Sequence, residues 1–443
     1  MKTATTIELA IVALTLFLGS LLNPAATAAD KSPLVSEKSS KGNEKNPKLA
    51  AEVESGKRSV ANAAWWGFDK NDSTAALQAA IDSGAKKVVV PKLDGDWIVS
   101  NTILLAGDQE IFFEPGVTIS AMKGRFIGRG ESLMSASNKQ NITLRGPGAT
   151  LLMHKADYQK APYQKSEWRH ALSIRGCRNI KVIGLAMKDS GGDGIYLGST
   201  SALPGNIDIQ IKDVTCDGNN RQGLSVISAE NLLVENCRFI NTSGTAPQAG
   251  IDFEPNQSKE RLVNCVVRNC LVDNNAGPGI YAYLKHLSKE SADISILVEN
   301  CQVKNCGGYG IGGGAVRDQG PGGFMEFKNV TVDQSNGPGA HVYDKSSTRA
   351  VFRFVNCTWK NTARKTDHPL SILLRRPNFT NKQGNIEFLD CVLLDDRDRP
   401  FLKVRAKNDL PVAKIKGAIK VTNPHGSKID WGPASEDVEL KIR

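Results

Sequence analysis

Two carboxylates two residues apart, Asp252 and Glu254 in GIDFEP, are the first place to look for chemistry. In an extended strand, alternate residues face the same side with Cα atoms about 6.6 Å apart. Such a pair can exchange protons as general acid and base. It could also offer oxygens to a hard cation, so calcium is the one metal considered. One motif further on, GIYAYL places Tyr281 and Tyr283 at the matching positions, and two motifs beyond that GAHVYD places His341 there. Lys285, Arg317 and Arg221 supply cations nearby, and Tyr196 in GIYLG adds another ring. Rings stack on sugar faces, cations hold uronate or sulfate groups, and carboxylates move protons. Asp193, just before Gly194, is a third candidate acid; its other role would be a turn residue.

What must position these groups is a repeat. Gly-x segments start at Gly194, Gly223, Gly250, Gly279, Gly310 and Gly339, at intervals of 29, 27, 29, 31 and 29 residues. A second block recurs in each unit and stacks Asp213, Asn236, Asn269, Asn300, Asn329, Asn356 and Asp390 in one column. The adjoining column reads Val214, Cys237, Cys270, Cys301, Val330, Cys357 and Cys391. Such a period marks a solenoid. Cys interchanging with Val marks a small apolar stack, although disulfides between rungs stay open. Asn and Asp at a bend suggest a ladder whose amides satisfy the turn's backbone. No C-x-x-C pair argues for zinc. About eleven rungs at ~4.8 Å each make a rod roughly 50 Å long. Residues Ser73–Ser83, with Leu77, Ala80 and Ile81 on one face and Gly84 as a stop, predict one capping helix. The predicted fold is all-β, a right-handed parallel β-helix from residue 59 to 443.

Before it, Lys2 and the apolar run Leu9–Leu22 resemble an export signal ending near Ala28 or Ala29, too short to span a membrane. Residues 30–58 are rich in Lys, Ser and Glu and are expected to be a disordered linker. The mature protein is expected outside the cytoplasm, secreted, periplasmic or at the cell surface, as a monomer with no membrane span. Lys and Arg number 56 against 46 Asp and Glu, a net +10 that favours an acidic partner. The basic residues are scattered and form no nucleic-acid motif, so an acidic polysaccharide is the expected partner.

From Ser59 onward the chain resembles the pectate-lyase-like right-handed β-helix superfamily. The resemblance rests on the Gly-turn strands, the N-C and D-C blocks, and the stretch from Trp65 to Leu105. It implies the fold and a polysaccharide theme, but the fold hosts hydrolases, lyases, epimerases and adhesins. DSGGDGIYLG is similar to the polygalacturonase N-T-D-G-I element, which would make Asp193 catalytic. The D-D pair that family carries on the next rung is replaced here by Arg221-Gln222, and its R-I-K element is missing.

The expected function is hydrolysis of an acidic polysaccharide, with Asp252, Glu254 and Asp193 as acid and base. Asp193 and Asp252 would lie two rungs, roughly 9.6 Å, apart along the backbone. Alternatively, a uronate lyase or C5-epimerase would use Tyr281, His341 or Lys285 as base with Arg221 neutralising the carboxylate; a third reading is glycan binding without cleavage. The insertion Met153–Arg169, with Tyr158, Tyr163, Trp168, Lys155, Lys160 and Lys165, is either a groove wall or a plain connection. Trp168 and Tyr196 are counted with the substrate-binding residues.

Overall fold

A computed structural model describes residues 42–375, 379, 382–405, 412–431 and 437–443. The apolar run Leu9–Leu22 and the residues of the linker up to 41 lie outside the described residues.

Twelve short parallel strands stack into one sheet that includes the Gly-x segments. Ile195–Gly198, Gln222–Val226, Ala249–Phe253, Ile280–Tyr283, Ile311–Val316 and Ala340–Lys345 are six consecutive members. The register is unbroken: Ile195 pairs with Leu224, Leu224 with Ile251, Ile251 with Ile280 and Ile280 with Ile311. These residues are fully buried and face the interior of the coil. Burying each stabilises the rod by roughly 1.5–3 kcal/mol. Stacking continues on the other walls, where the Phe327, Phe354 and Phe388 rings lie 5.4 and 5.2 Å apart between centroids.

The second large sheet bends where the Asn and Asp column predicts. Leu262–Arg268 and Leu271–Asp273, for example, flank Asn269. All seven column residues, from Asp213 to Asp390, have positive φ between 49° and 56°. Asn and Asp enter this left-handed region at lower cost than other non-glycine residues. The ladder differs from expectation in its partners. Asn356 donates to Asn329 at 2.8 Å and Asn329 to Asn300 at 2.9 Å. The amides therefore bond one another, while the backbone N–H of Asn269 and of Asn300 donates to a carbonyl of the next rung.

All nine cysteines are buried and unbridged, which settles the open disulfide question in favour of apolar packing. The predicted cap is helix Thr74–Asp82, with Ala76, Leu77, Ala80 and Ile81 buried against the first rung. The expected linker boundary needs correction. Residues 42–58 are not all linker, because Pro47–Glu54 is a helix, capped by Asn46 through its Oδ1 and Leu49 N at 3.1 Å. It buries Ala50 and Val53, and the Trp65 indole N–H donates to Gly42 O at 2.9 Å. Two small buried contacts suffice here because the helix docks on a prebuilt rod. Among the described residues, no helix is long and apolar enough to cross a membrane.

Candidate functional site

Two columns of the twelve-stranded sheet carry the polar groups. The first is the outward strand position, where Tyr196 pairs with Ser225, Ser225 with Asp252, Asp252 with Tyr281, Tyr281 with Gly312 and Gly312 with His341. The second is the turn column, the position just before Ala171 and before each rung's leading Gly: His170, Asp193, Gln222, Ala249, Pro278 and Tyr309. Residues from adjacent rungs of these columns meet diagonally.

Asp252 lies at the centre and is fully buried, not on an open face as alternation alone suggested. Gln222 Nε2 donates to its Oδ2 at 2.6 Å, and the Tyr281 hydroxyl donates to the same oxygen at 3.2 Å. Burial pushes the Asp252 carboxyl well above the usual carboxylate range, and the Glu254 carboxylate pushes it further. Arg221 and Tyr281 act in the opposite direction without cancelling this. Asp252 therefore holds its proton to higher pH than an ordinary aspartate does. Glu254 accepts from Arg221 Nη2 at 2.8 Å. Arg221 Nε also approaches Glu167 of the insertion at 3.6 Å. Burial alone would depress the Arg221 guanidinium, but Asp193 and Glu254 hold it firmly charged.

Asp193, also fully buried, faces His170 across 3.3 Å. Its backbone N–H donates to His170 Nδ1 at 3.1 Å. Neither Asp193 oxygen has a hydrogen-bond donor among the described residues, and His170 Nε2 is likewise buried and unpartnered. Tyr196 stacks on His170 at 4.5 Å, and Arg175 covers the other part of that ring system at 4.8 Å from Tyr196. Sequence reasoning missed His170 because its rung starts with Ala171 rather than Gly. The signal was the turn column itself.

Downstream, an aromatic strip continues from Asp252. Tyr281 meets Tyr309 edge-on at 5.9 Å, Tyr309 meets His341 at 4.8 Å, and His341 stacks on Tyr343 at 5.2 Å. Arg375 lies over Tyr343 at 5.2 Å. His341 is buried, with Nδ1 2.6 Å from Ser371 Oγ. Burial, aided by the Arg375 charge, lowers its pKa to about 3, so it is neutral at ordinary pH. Tyr309 was the second missed residue, again visible as a turn-column member. Tyr283 turns instead toward His286, at 6.4 Å. Lys285 and Arg317 are exposed on the loops after their strands rather than in the cluster.

The insertion is docked against the rod rather than hanging free of it. Arg169, fully buried, donates to the carbonyls of Phe126, Ile127 and Gln164, the first at 2.8 Å, and lies over Tyr158. Room for it comes from Gly191-Gly192. A Cβ on Gly191 would meet the Tyr158 ring at 2.6 Å, and one on Gly192 would meet Glu167 O at 2.6 Å. Trp168 projects from the docked insertion with 42% of its surface exposed.

The calcium option does not fit. Among the described residues no group of three or more His, Cys, Asp or Glu side chains converges as a metal site would. Asp252 is fully buried with its pKa raised, and Glu254 is already paired with a guanidinium.

Residues 164–358 match the family model described as "Right handed beta helix region". An uncharacterized Bacillus subtilis (strain 168) protein, YclG, is 25% identical over 287 residues, 57% of this chain and 47% of that protein. The SPbeta prophage-derived uncharacterized protein YorA of the same organism is 23% identical over 167 residues, 35% of this chain and 28% of its own. The matches thus span less than half of each relative. Among solved structures, the A-module of Azotobacter vinelandii mannuronan C-5 epimerase AlgE6 superposes with TM-score 0.59 at 13% identity, covering 86% of this chain and 98% of that one. The Streptococcus pneumoniae surface adhesin PfbA gives 0.53 at 13% identity, covering 85% and 93%. The Dettilon tailspike protein gives 0.56 at 12%, covering 87% and 68%. Likeness at this level is one of fold.

Proposed function

The chain is a right-handed parallel β-helix protein, and on that scaffold we propose that it hydrolyses an acidic polysaccharide outside the cytoplasm. One observation carries the reading: two carboxyl groups two residues apart, at the end of one strand, sit in opposite surroundings. Burial raises the pKa of Asp252, as suits a proton donor, while Glu254 is paired with the Arg221 guanidinium at 2.8 Å. Asp252 would give its proton to the leaving glycosidic oxygen. A uronate carboxylate of the substrate would take over Arg221, which is already poised for carboxylates, and so release Glu254 to accept a proton from water. Asp193 adds charge behind Arg221. The Tyr281, Tyr309 and Tyr343 rings extend the site along the rod, as a polymer requires. Export rests on the Leu9–Leu22 run.

The lyase and epimerase alternative is less well supported. Burial above all, with the Glu254 charge beside it, pushes the Tyr281 hydroxyl far up, and it is already donating to Asp252. Both features count against it as a base. Binding without cleavage is the second reading, favoured by the complete burial of Asp193 and Asp252.

The test is to incubate the purified protein with a panel of acidic and neutral polysaccharides and follow reducing ends together with ultraviolet absorbance. Reducing ends without absorbance support hydrolysis. Absorbance from an unsaturated product supports a lyase, and saturable binding with neither signal supports the second reading.

A further inference from the structure

The docked insertion encloses more than one wall of the main site. Between it and the loop around Arg129 lies a cleft of about 490 Å³, within the range for small-molecule sites. Arg129, Tyr158, Tyr163, Lys165, Glu167 and Trp168 are among its lining residues. Three of these are aromatic, two are cations and one is an anion. Arg129 stacks on Trp168 at 5.1 Å, which presents a flat, partly charged surface at an exposed edge. The floor is fixed: the Tyr163 hydroxyl accepts from Gly124 N at 2.7 Å, and the Ser166 hydroxyl donates to the Arg129 carbonyl. Tyr158 is buried to all but 3% of its surface, and its hydroxyl has no hydrogen-bond partner among the described residues. A buried hydroxyl without a partner in a lined cleft is an unmet hydrogen bond that a ligand can complete.

We propose that this cleft is a separate binding site for an acidic oligosaccharide, with a sugar ring on Trp168, a uronate or sulfate group against Arg129 and Lys165, and a sugar hydroxyl on Tyr158. The assignment rests on the reading that the protein handles acidic glycans, but it concerns a site other than Asp252. Glu167 links the two, because it lines the cleft and also approaches Arg221 at 3.6 Å. A chain held in the cleft is thereby led toward the strand face. Rings and cations at this density are what sugar polymers bind: aromatic faces take the apolar sugar face, and cations take the charged substituent.

The experiment is equilibrium binding by calorimetry, using hexamers of galacturonate and of mannuronate, with maltohexaose as the neutral probe. The full chain is compared with Trp168→Ala, Lys165→Ala and Asp252→Asn variants. Lys165 and Trp168 are exposed, so their loss leaves the rod intact, and thermal melting checks this. The cleft assignment predicts binding of at least one charged hexamer, weakened by about tenfold in each cleft variant and by added salt. Asp252→Asn keeps that affinity. Unchanged binding in both cleft variants, or no binding of either charged hexamer, overturns the assignment. Binding that obeys these rules in a protein without turnover would retain the cleft and discard the hydrolase.

Discussion

Gln222 and Asp252 sit on adjacent rungs, both fully buried, and join through a 2.6 Å hydrogen bond from amide to carboxyl. The bond ties the turn column to the strand column. It also makes Asp252 part of the interior rather than a surface acid.

Replacement of Asp252 by Asn should therefore keep the fold, because a neutral amide mimics a neutral acid and can still accept from Gln222 and Tyr281. Asp252→Ala should cost ~1–3 kcal/mol by leaving buried donors unpaired. On the hydrolase reading, Asp252→Asn lowers turnover by roughly 10²–10⁴-fold. The pH dependence adds an independent check. The folded value lies above the ordinary 3.8, so the associated stability is complete below about pH 3.8 and is lost as pH rises through the raised value. Thermal melts of both proteins from pH 4 upward should diverge, the wild type losing ground to the variant. Parallel curves would show that Asp252 is ionised in the fold.

His341 should behave in the opposite sense. Its folded pKa of about 3 lies below the ordinary 6.5, so its stability is full above 6.5 and drains away as pH falls toward 3. Urea midpoints at pH 7 and 4.5 should fall less for His341→Gln than for the wild type. An equal fall would remove His341 as a source of acid lability.

The nine thiols should stay unreactive in the native protein and label fully once it is unfolded in guanidinium. Cys301→Val should change stability by less than ~1.5 kcal/mol, since Val330 fills the same column on the next rung. Fast labelling of several native thiols would contradict the described register.

Gly192→Ala should lift the insertion, because the added carbon meets a backbone carbonyl at 2.6 Å. A cost of ~1–3 kcal/mol is expected from overpacking. Limited proteolysis between residues 155 and 168 should then accelerate while the rod stays protected. An unchanged cleavage pattern would mean that the insertion does not depend on this close approach.

The fold was legible because identical geometry repeats: Gly at each strand start and Asn or Asp at each bend recur where the rungs demand them. Strand alternation also placed Asp252, Tyr281 and His341 on one face. It could say which way a side chain leaves its strand, but not what covers it. Asp252 is buried by Arg221, Glu254 and their neighbours, whose positions come from turns and an insertion without periodicity. His170 and Tyr309 were missed because only glycine-led rungs were aligned in full. The helix Pro47–Glu54 was missed because two buried side chains leave little mark in a polar stretch.

The amide ladders have a direction. Asn274 donates to Asn241, which donates to Asp217; Asn264 donates to Asn231, which donates to Asp208. Asn179 donates to Asn141, which donates to Asp108. In each series the donor lies on the later rung, and an aspartate, which can only accept when ionised, closes the N-terminal end. An Asn-bearing rung both receives and passes on a bond, so it can be duplicated in frame without breaking the chain of amides. An Asp-bearing rung can only start one. Lengthening this rod by gene duplication or by grafting should therefore succeed after an asparagine rung and interrupt the ladder if a second aspartate rung is inserted within it.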